Sequence, residues 1–354
     1  SSNGRYIDCP GICILPWLKS FYDLCFTFIK KEIILEKIAV LVTVYNGGQF
    51  LSDQLKSILL QNYDHDKYLM DIYIYDDGSH DNSIDILHKF LHQYRNVHLV
   101  KPDDHFRGVK HAIYTLLKRV DADYYYFADQ DDIWKEDKIT KMQHVFQRYS
   151  GGVVGVYSNL ELVDKEGSSL NKTMISVNHW DENEVRDFGF LLFHPRVTGA
   201  AFSINRTARN IVLQIPMDIF LTATMHDALI ALVIELTGNL VYLSDSLLLY
   251  RQHGNNQVGA SQSLVSYLHI KQKRSMLNGR FNDVVIISKY IPQQKVKNKV
   301  EKEQIKTVIE FYEMRDPIHR IMNVKNNWKT LWKKVGIFRT TLNILLNISR
   351  KGNE

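Results

Sequence analysis

The stretch KIAVLVTVYNGG, Lys37–Gly48, contains the strongest fold signal in the sequence. Its first eight residues form a β-branched apolar run of strand length, and turn-forming residues then interrupt the run. A run without polar alternation is typical of a parallel strand that is covered on both faces. We therefore predict a buried strand over Lys37–Val44, a turn at Tyr45–Gly48 and a helix over Phe50–Gln61.

The same alternation of patterns continues along the chain. Strands are predicted over Met70–Tyr75, Val97–Lys101 and Tyr124–Ala128, with a helix ending at Tyr94 and another over Val109–Arg119. This β-α-β-α-β-α-β order predicts an α/β fold with a Rossmann-like, mostly parallel sheet and helices on its faces. We divide the chain into an N-terminal helical extension (1–36), the α/β domain (37–260) and a helical, basic C-terminal region (261–354).

Three polar motifs directly follow predicted strands: Thr43–Asn46, Asp76–Ser79 and Asp129–Asp132. The carboxyl ends of parallel strands meet at one sheet edge, where ligands of such folds bind. Clustered carboxylates repel one another unless a cation lies among them. Mg²⁺ or Mn²⁺, held by one or two carboxylates and by phosphates, meets this requirement. The edge is therefore a predicted site for a nucleoside diphosphate and its metal.

Each acidic motif also has a purely structural interpretation. Asp76–Ser79 suits a strand-to-helix turn in which Asp and Ser side chains cap the next helix. Asp129–Asp132 can similarly cap a helix before Ile133 and Trp134. The ordered succession of all three motifs on one edge favours a functional site.

These residues resemble a known family. The segments VLVTVYNGGQFLSDQLKSILLQ, IYIYDDGSHDNS and YYYFADQDDIW look like the nucleotide-binding half of a family 2 glycosyltransferase with the GT-A fold. The resemblance extends over about residues 37 to 255 and implies a nucleotide-diphospho-sugar transferase. It implies that three residues bind the pyrimidine base of the donor: Thr43, Tyr45 and Asp77.

The resemblance also implies roles for the acids after the fourth strand. Asp129 and Asp131 match the family's D-x-D motif, which makes Asp131 the expected metal ligand and Asp129 the expected contact to ribose or donor sugar. The role of Asp132 is open. Between the third strand and its helix the chain departs from the common pattern, and Lys110 and His111 are alternative phosphate contacts there.

The second half of the sequence matches the acceptor side of the family. Thr198 and Gly199 correspond to the sugar and acceptor pocket. Asp227 matches the acid that serves as general base in inverting members, where the acceptor hydroxyl must lose a proton as it attacks. Arg251 is a candidate for neutralising the diphosphate, and His253 for a further metal ligand or phosphate contact.

The implied reaction is a metal-dependent single displacement with inversion at the anomeric carbon. The pairing of DQDDIW with YRQHGNN looks most like bacterial rhamnosyltransferases of capsular, O-antigen or cell-wall polysaccharide synthesis. That similarity implies dTDP-L-rhamnose as donor, with a UDP-hexose as the alternative. The implied acceptor is lipid-linked or a growing glycan.

Charge and hydropathy bear on location. After Pro317 the chain carries eight Lys or Arg against one acid, Glu354, and Trp328, Leu331 and Trp332 recur at helical spacing. Such a basic amphipathic helix either lies on the inner face of an anionic membrane or packs its Trp face on the core. Nucleic acid is not an expected partner. Residues 1 to 30 do not resemble a signal peptide, and three crowded cysteines favour a reducing, cytoplasmic setting.

Two other classes compete with this interpretation. FADQDDI approximates the D-x-D motif of haloacid-dehalogenase-like phosphatases, although three β/α units precede it here, whereas that fold normally starts with the motif. A non-catalytic glycan-binding or protein scaffold on the same fold is the second alternative. An intact set of Asp77, Asp131, Asp227 and His253 favours an enzyme.

Overall fold

The computed structural model describes residues 35–102, 107–149, 151–183, 187–253, 270–314, 319 and 322–323. The predicted N-terminal helical extension and nearly all of the basic tail after Pro317 lie outside the described residues. The proposed domain boundaries therefore stay predictions.

The described strands form one nine-stranded mixed sheet. Their bounds are β1 Glu36–Val44, β2 Tyr68–Asp76, β3 Val97–Leu99, β4 Tyr124–Ala128, β5 Ile133–Trp134, β6 Val154–Val163, β7 Ser169–Thr173, β8 Phe202–Asn205 and β9 Asn239–Arg251. The strand order is β3-β2-β1-β4-β8-β6-β9-β5, and β7 pairs with β6. The first four strands in this order run parallel, as predicted, and β8 joins β4 and β6 in antiparallel pairings.

The parallel register brings the polar motifs together. Val44 pairs with Asp76, and Val42 pairs with Ala128. The loops after β1, β2 and β4 therefore leave the sheet from the same edge, as the order of elements predicted. The strands themselves are found within two residues of their predicted ends.

The helices cover both faces of the sheet. Their bounds are α1 Leu51–Leu59, α2 Ser83–Gln93, α3 Val109–Arg119, α4 Lys138–Phe146, α5 Met174–Asn178, α6 Phe188–Phe193, α7 Arg206–Val212, α8 Met217–Leu221, α9 His226–Thr237, α10 Ile270–Tyr290 and α11 Lys299–Glu313. Alternate residues of β1 face different hydrophobic clusters, with Val40 in one and Leu41 in the other. The central strand is thus buried on both faces, as its uninterrupted apolar run predicted.

The two C-terminal helices are part of the core. Phe281 and Val284 of α10 and Val308 of α11 are buried in the cluster that also contains Leu41 and Phe202 of the sheet. Within the described segments, no helix is long and apolar enough to cross a membrane.

Candidate active site

The loop after β1 is held by the D-x-D segment through one side-chain amide. Oε1 of Gln130 accepts the Tyr45 N–H at 2.7 Å, and Nε2 of Gln130 donates to the Tyr45 carbonyl at 3.0 Å. A Cβ on Gly47 would lie 2.3 Å from Oε1 of Gln130, so only glycine permits this approach. The Tyr45 ring remains about half exposed (54%) on this loop, in position to contact a ligand.

The same loop is also fastened to the turn after β2. The Asn46 N–H donates to Oγ of Ser79 at 2.9 Å, and Oδ1 of Asn46 accepts the His80 N–H at 2.8 Å. Asn46 has a positive φ of 50°, which asparagine tolerates better than most residues. The three polar motifs are therefore one hydrogen-bonded unit.

The adjacent acids Asp76 and Asp77 have separate tasks. Oδ2 of Asp76 accepts the N–H groups of Gly78 and Ser79, which makes it the turn residue that the structural interpretation predicted. Asp77 instead faces the loop before α3, where its Oδ2 accepts the Gly108 N–H at 2.7 Å. Among the described residues, Oδ1 of Asp77 is buried without a hydrogen bond, and Nη1 of Arg107 lies 3.9 Å away.

Asp131 and His253 meet at the end of the sheet. Nε2 of His253 lies 2.8 Å from Oδ2 of Asp131, and both side chains are about 15% exposed. The His253 ring stacks on Phe50 with centroids 5.0 Å apart. The structure thus brings together the two residues predicted to bind the metal.

Two further acids of this loop, the half-buried Asp129 and the fully buried Asp132, have raised pKa values. Burial, together with Asp131 and Asp227, raises the pKa of Asp129 to about 7, although Lys138 opposes the shift. Burial, together with Asp131 and Asp129, raises the pKa of Asp132 well above its usual range, although the Arg251 backbone N–H and Lys138 oppose the shift. The ionised forms of these carboxyls therefore require a nearby cation.

Arg251 is buried and ties β9 to the acidic loop. The side chain donates from Nε to the Asp131 carbonyl at 2.9 Å and from Nη1 to the Lys165 carbonyl at 2.6 Å. The backbone N–H of Arg251 donates to Oδ1 of Asp132 at 3.2 Å. The guanidinium also lies 4.6 Å from the centre of the Phe50 ring. Asp132, whose role the sequence leaves open, thus has Arg251 as a structural partner. The predicted role of Arg251 toward a diphosphate stays a prediction.

The candidate base Asp227 lies in the first turn of α9. Its Oδ2 accepts the Gly199 N–H at 2.9 Å, which joins two residues that were predicted separately. A Cβ on Gly199 would lie 3.0 Å from Nε2 of His226 and 3.6 Å from Oδ2 of Asp227. The close approach of Gly199 to α9 therefore depends on glycine. The N-cap of α9 is Met225, and Oδ1 of Asp227 accepts the Ala228 N–H at 2.7 Å in the first turn, a contact that also stabilises the start of the helix.

A cleft opens beside Thr198. Aromatic side chains line it, among them Tyr157, Trp180 and Tyr242, together with the polar residues Ser158 and Asn159. Ser158 is buried, and its Oγ has no hydrogen-bond partner among the described residues. Aromatic faces with hydroxyl and amide groups suit a sugar ring, which has apolar faces and polar edges.

Two further candidates, Lys110 and His111, lie in the first turn of α3. Nζ of Lys110 donates to the carbonyls of Leu221 and Ala223 at 2.6 and 2.7 Å. Nδ1 of His111 lies 3.1 Å from the Tyr75 hydroxyl in the core. A phosphate contact by either residue stays a prediction.

Our sequence analysis did not single out two residues that shape the site. Gln130 lies between the two acids of the D-x-D motif, and its side-chain amide holds the backbone of the loop after β1 by two hydrogen bonds. Lys138 is fully buried, donates to the Ala200 carbonyl at 2.6 Å and lies 3.7 Å from the Trp134 ring. Burial lowers the pKa of Lys138 to about 7, opposed by Asp132 and Asp129. Sequence spacing gives no signal for such contacts.

Comparison with known proteins identifies the class. The family Glycosyl transferase family 2 matches residues 39–194. The dTDP-rhamnosyl transferase RfbG of Shigella flexneri is 32% identical over 238 residues, which cover 63% of this chain and 75% of that protein. An uncharacterised glycosyltransferase of Nostoc sp. (strain PCC 7120) is 26% identical over 258 residues, covering 71% of this chain and 76% of that protein.

Solved structures show the same fold at lower identity. TarS 1–349 of S. aureus, in complex with UDP-GlcNAc, superposes with a TM-score of 0.51 at 15% identity, over 88% of this chain and 80% of that one. The mannosyltransferase PcManGT of Pyrobaculum calidifontis, in complex with GDP-Man and Mn²⁺, gives a TM-score of 0.50 at 14% identity over 93% and 92%.

The fold is therefore that of the GT-A glycosyltransferases, and the chain belongs to glycosyl transferase family 2. It is a glycosyltransferase. Family membership removes the support for the haloacid-dehalogenase-like alternative.

Proposed function

We propose that this glycosyltransferase moves a sugar from a nucleoside-diphosphate sugar to an acceptor hydroxyl in a metal-dependent, inverting reaction. The observation that carries the proposal is the 2.8 Å contact between Asp131 and His253, next to the half-buried Asp129, whose pKa is raised by desolvation, Asp131 and Asp227. The predicted metal ligands Asp131 and His253 therefore contact each other. The charges of Asp131 and of the predicted base Asp227 both act on the predicted donor contact Asp129.

The donor atoms fit Mg²⁺ or Mn²⁺. Asp131 supplies a carboxylate oxygen and His253 an imidazole nitrogen, and no cluster of three or more ligating side chains is present among the described residues. Such ions often take only one or two protein ligands and complete their shell with water and substrate phosphates. When bound, the ion would act as a Lewis acid that offsets the charge of the leaving diphosphate.

The loops of the parallel edge would hold the nucleotide. Tyr45 and Thr43 would lie against the base, and Asp77 would accept from its ring N–H through Oδ1, which has no hydrogen bond among the described residues and faces only the Arg107 guanidinium at 3.9 Å. Asp129 would contact the ribose or the donor sugar. The Gln130 amide would fix the Tyr45 backbone during binding.

Asp227 would take the acceptor proton. As the acceptor oxygen bonds to the anomeric carbon, the bond from that carbon to the diphosphate oxygen breaks, and the proton passes to a carboxylate oxygen of Asp227. The Gly199 and Ala228 N–H groups hold the two oxygens of that carboxylate and restrict its orientation. Attack from the face opposite the leaving group gives inversion.

We assign dTDP-L-rhamnose as donor, with a UDP-hexose as the alternative, because the similarity to RfbG agrees with the motif pattern. The proposed acceptor is a lipid-linked or polysaccharide glycan, on the basis of the motif similarity to polysaccharide-building transferases. We place the reaction in the cytoplasm at the inner membrane face, where the basic tail would contact anionic lipid.

A thermal-shift screen of nucleotide sugars with and without Mn²⁺ tests the donor side. A ligand that binds only the native state must raise Tm. We expect dTDP-rhamnose or a UDP-sugar to raise Tm more in the presence of Mn²⁺, and the Asp131→Asn variant to lose that metal dependence. If no nucleoside diphosphate stabilises the wild type, the proposed function is wrong.

A further inference from the structure

The segment that leads into the candidate base is held by side chains from two distant helices. Residues 221–224 connect α8 to the start of α9, three residues before Asp227. Consecutive backbone groups of this segment are bound by Lys110 of α3 and by Asn282 and Asp283 of α10.

The contacts from α3 come from one ammonium group. Nζ of Lys110 donates to the Leu221 carbonyl at 2.6 Å and to the Ala223 carbonyl at 2.7 Å. Leu221 is the last residue of α8, so its carbonyl lacks a partner within the helix. A charged donor to such a carbonyl makes a stronger hydrogen bond than a neutral one.

The contacts from α10 alternate with those from α3. Nδ2 of Asn282 donates to the Thr222 carbonyl at 3.0 Å, and Oδ1 of Asp283 accepts the Thr224 N–H at 2.9 Å. Asp283 is fully buried, and Nη1 of the buried Arg280 lies 3.6 Å from its Oδ2. Every residue from 221 to 224 therefore has a backbone group bound by a side chain from outside the segment.

The chemistry of these contacts favours a positioning role over a purely stabilising one. Removing charged groups from water costs free energy, and apolar side chains of similar volume often stabilise a core at least as well. Hydrogen bonds to charged groups are directional, however, and set the position of a backbone within a narrow range. Asp227 needs such control because its Oδ2 must meet the Gly199 N–H and an acceptor hydroxyl.

We propose that Lys110, Asn282 and Asp283 form a clamp that positions Asp227 for proton abstraction, so that α10 is a working part of the catalytic site. This inference rests on the proposed function, because it takes Asp227 to be the base. It also gives Lys110 a task other than phosphate binding. All three clamp members are positioning residues, since none is required to touch the substrates.

A double-mutant cycle distinguishes the clamp from its alternatives. In Lys110→Met, which removes the ammonium and keeps the stem, we expect kcat to fall about tenfold while the Kd for the donor nucleotide stays within about twofold. In the Asp227→Asn background the same change should cost less than about twofold in kcat, because two residues that act through one group are not additive. Lys110→Arg, which retains charged donors, should recover most of the activity.

The exposed Lys118 of the same helix supplies the matched control, and Lys118→Met should leave kcat unchanged. A weakened donor Kd with unchanged kcat in Lys110→Met would assign Lys110 to the phosphates instead. Equal losses of kcat in both backgrounds would show a general structural role. Either result overturns the clamp.

Hydrogen exchange tests the clamp without relying on turnover. In Lys110→Met and in Asn282→Ala, the amides of residues 224–229 should exchange faster than in the wild type, while those of β1 should not change. Unchanged exchange in 224–229 would overturn the clamp even if the enzyme is active. Full transfer activity in Asp227→Asn would instead overturn the proposed base and leave the exchange result standing.

Discussion

Nε2 of His253 lies 2.8 Å from Oδ2 of Asp131, although 122 residues separate them in the sequence. The contact joins the end of β9 to the loop after β4, and Arg251 reinforces it through the Asp131 carbonyl. Two predicted ligands with this origin come together only after the sheet is complete.

Loss of either ligand should abolish the metal dependence of nucleotide binding. We expect Asp131→Asn and His253→Ala each to remove most of the Tm increase that Mn²⁺ adds to UDP or dTDP. The double variant should lose little more than either single one, because the two side chains serve one ion. Titration calorimetry with Mn²⁺ and nucleotide measures this. A double variant that still binds the nucleotide in a Mn²⁺-dependent manner would place the metal elsewhere.

Asp227→Asn should abolish chemistry while sparing donor binding. The amide keeps the size of the side chain but cannot accept the acceptor proton, and general-base catalysis contributes about 10²- to 10⁴-fold. Steady-state kinetics should therefore show a kcat loss in this range, with the donor Kd unchanged. Retention of full activity would also revive the hypothesis of a scaffold or of a different base.

Binding of metal and nucleotide should strengthen as the pH rises through about 7. The raised pKa of Asp129 means that the metal-free native state keeps a proton that the unfolded chain loses near its ordinary value of 3.8. This contribution to native stability is present at low pH and is lost as the pH rises toward 7. A cation competes with the same proton, so the Tm increase from Mn²⁺ and UDP should be larger at pH 8 than at pH 6.

Asp129→Asn should flatten that pH dependence. The exposed Asp66 provides a control, since Asp66→Asn removes an acid far from any predicted ligand. If the Asp129→Asn variant keeps the wild-type pH dependence of the Tm increase, another group is responsible for it.

Gly199→Ala should lower kcat clearly while changing the free energy of unfolding only slightly. The new Cβ would lie 3.0 Å from Nε2 of His226, which must give way by a few tenths of an ångström, and we expect this movement to shift the adjacent candidate base Asp227. We expect about a tenfold loss of kcat, since small misplacements of catalytic groups are costly. Gly152→Ala is a matched control because nothing lies within 4 Å of its Cβ position. Equal activities of the two variants would contradict the close approach of Gly199 to α9.

Gln130→Ala should weaken nucleotide binding without affecting the metal ligands. The change removes both hydrogen bonds to the Tyr45 backbone and frees the loop that would contact the base. We expect the Kd for UDP or dTDP to rise about tenfold, on the basis of about 1 kcal/mol for two hydrogen bonds to a partly exposed loop plus the cost of ordering it. Unchanged affinity would mean that the loop does not need this support.

The sequence by itself determined the parallel half of the fold. The runs Lys37–Val44 and Tyr124–Ala128 are apolar enough to require burial on both faces, and α3 was predicted with the bounds that the structure shows. Because the polar motifs follow these strands, their meeting on one edge follows from the parallel order. Family resemblance added the roles of the residues on that edge.

Only the tertiary structure decided which polar side chains hold the candidate site together. Asp76 and Asp77 are adjacent in sequence, yet one closes its own turn and the other faces Arg107 across the edge. Lys110 has the sequence position of a phosphate contact but donates to carbonyls before α9. The two Lys110 contacts join residues more than a hundred positions apart. They are set by the packing of α3, α9 and α10, which local sequence patterns do not encode.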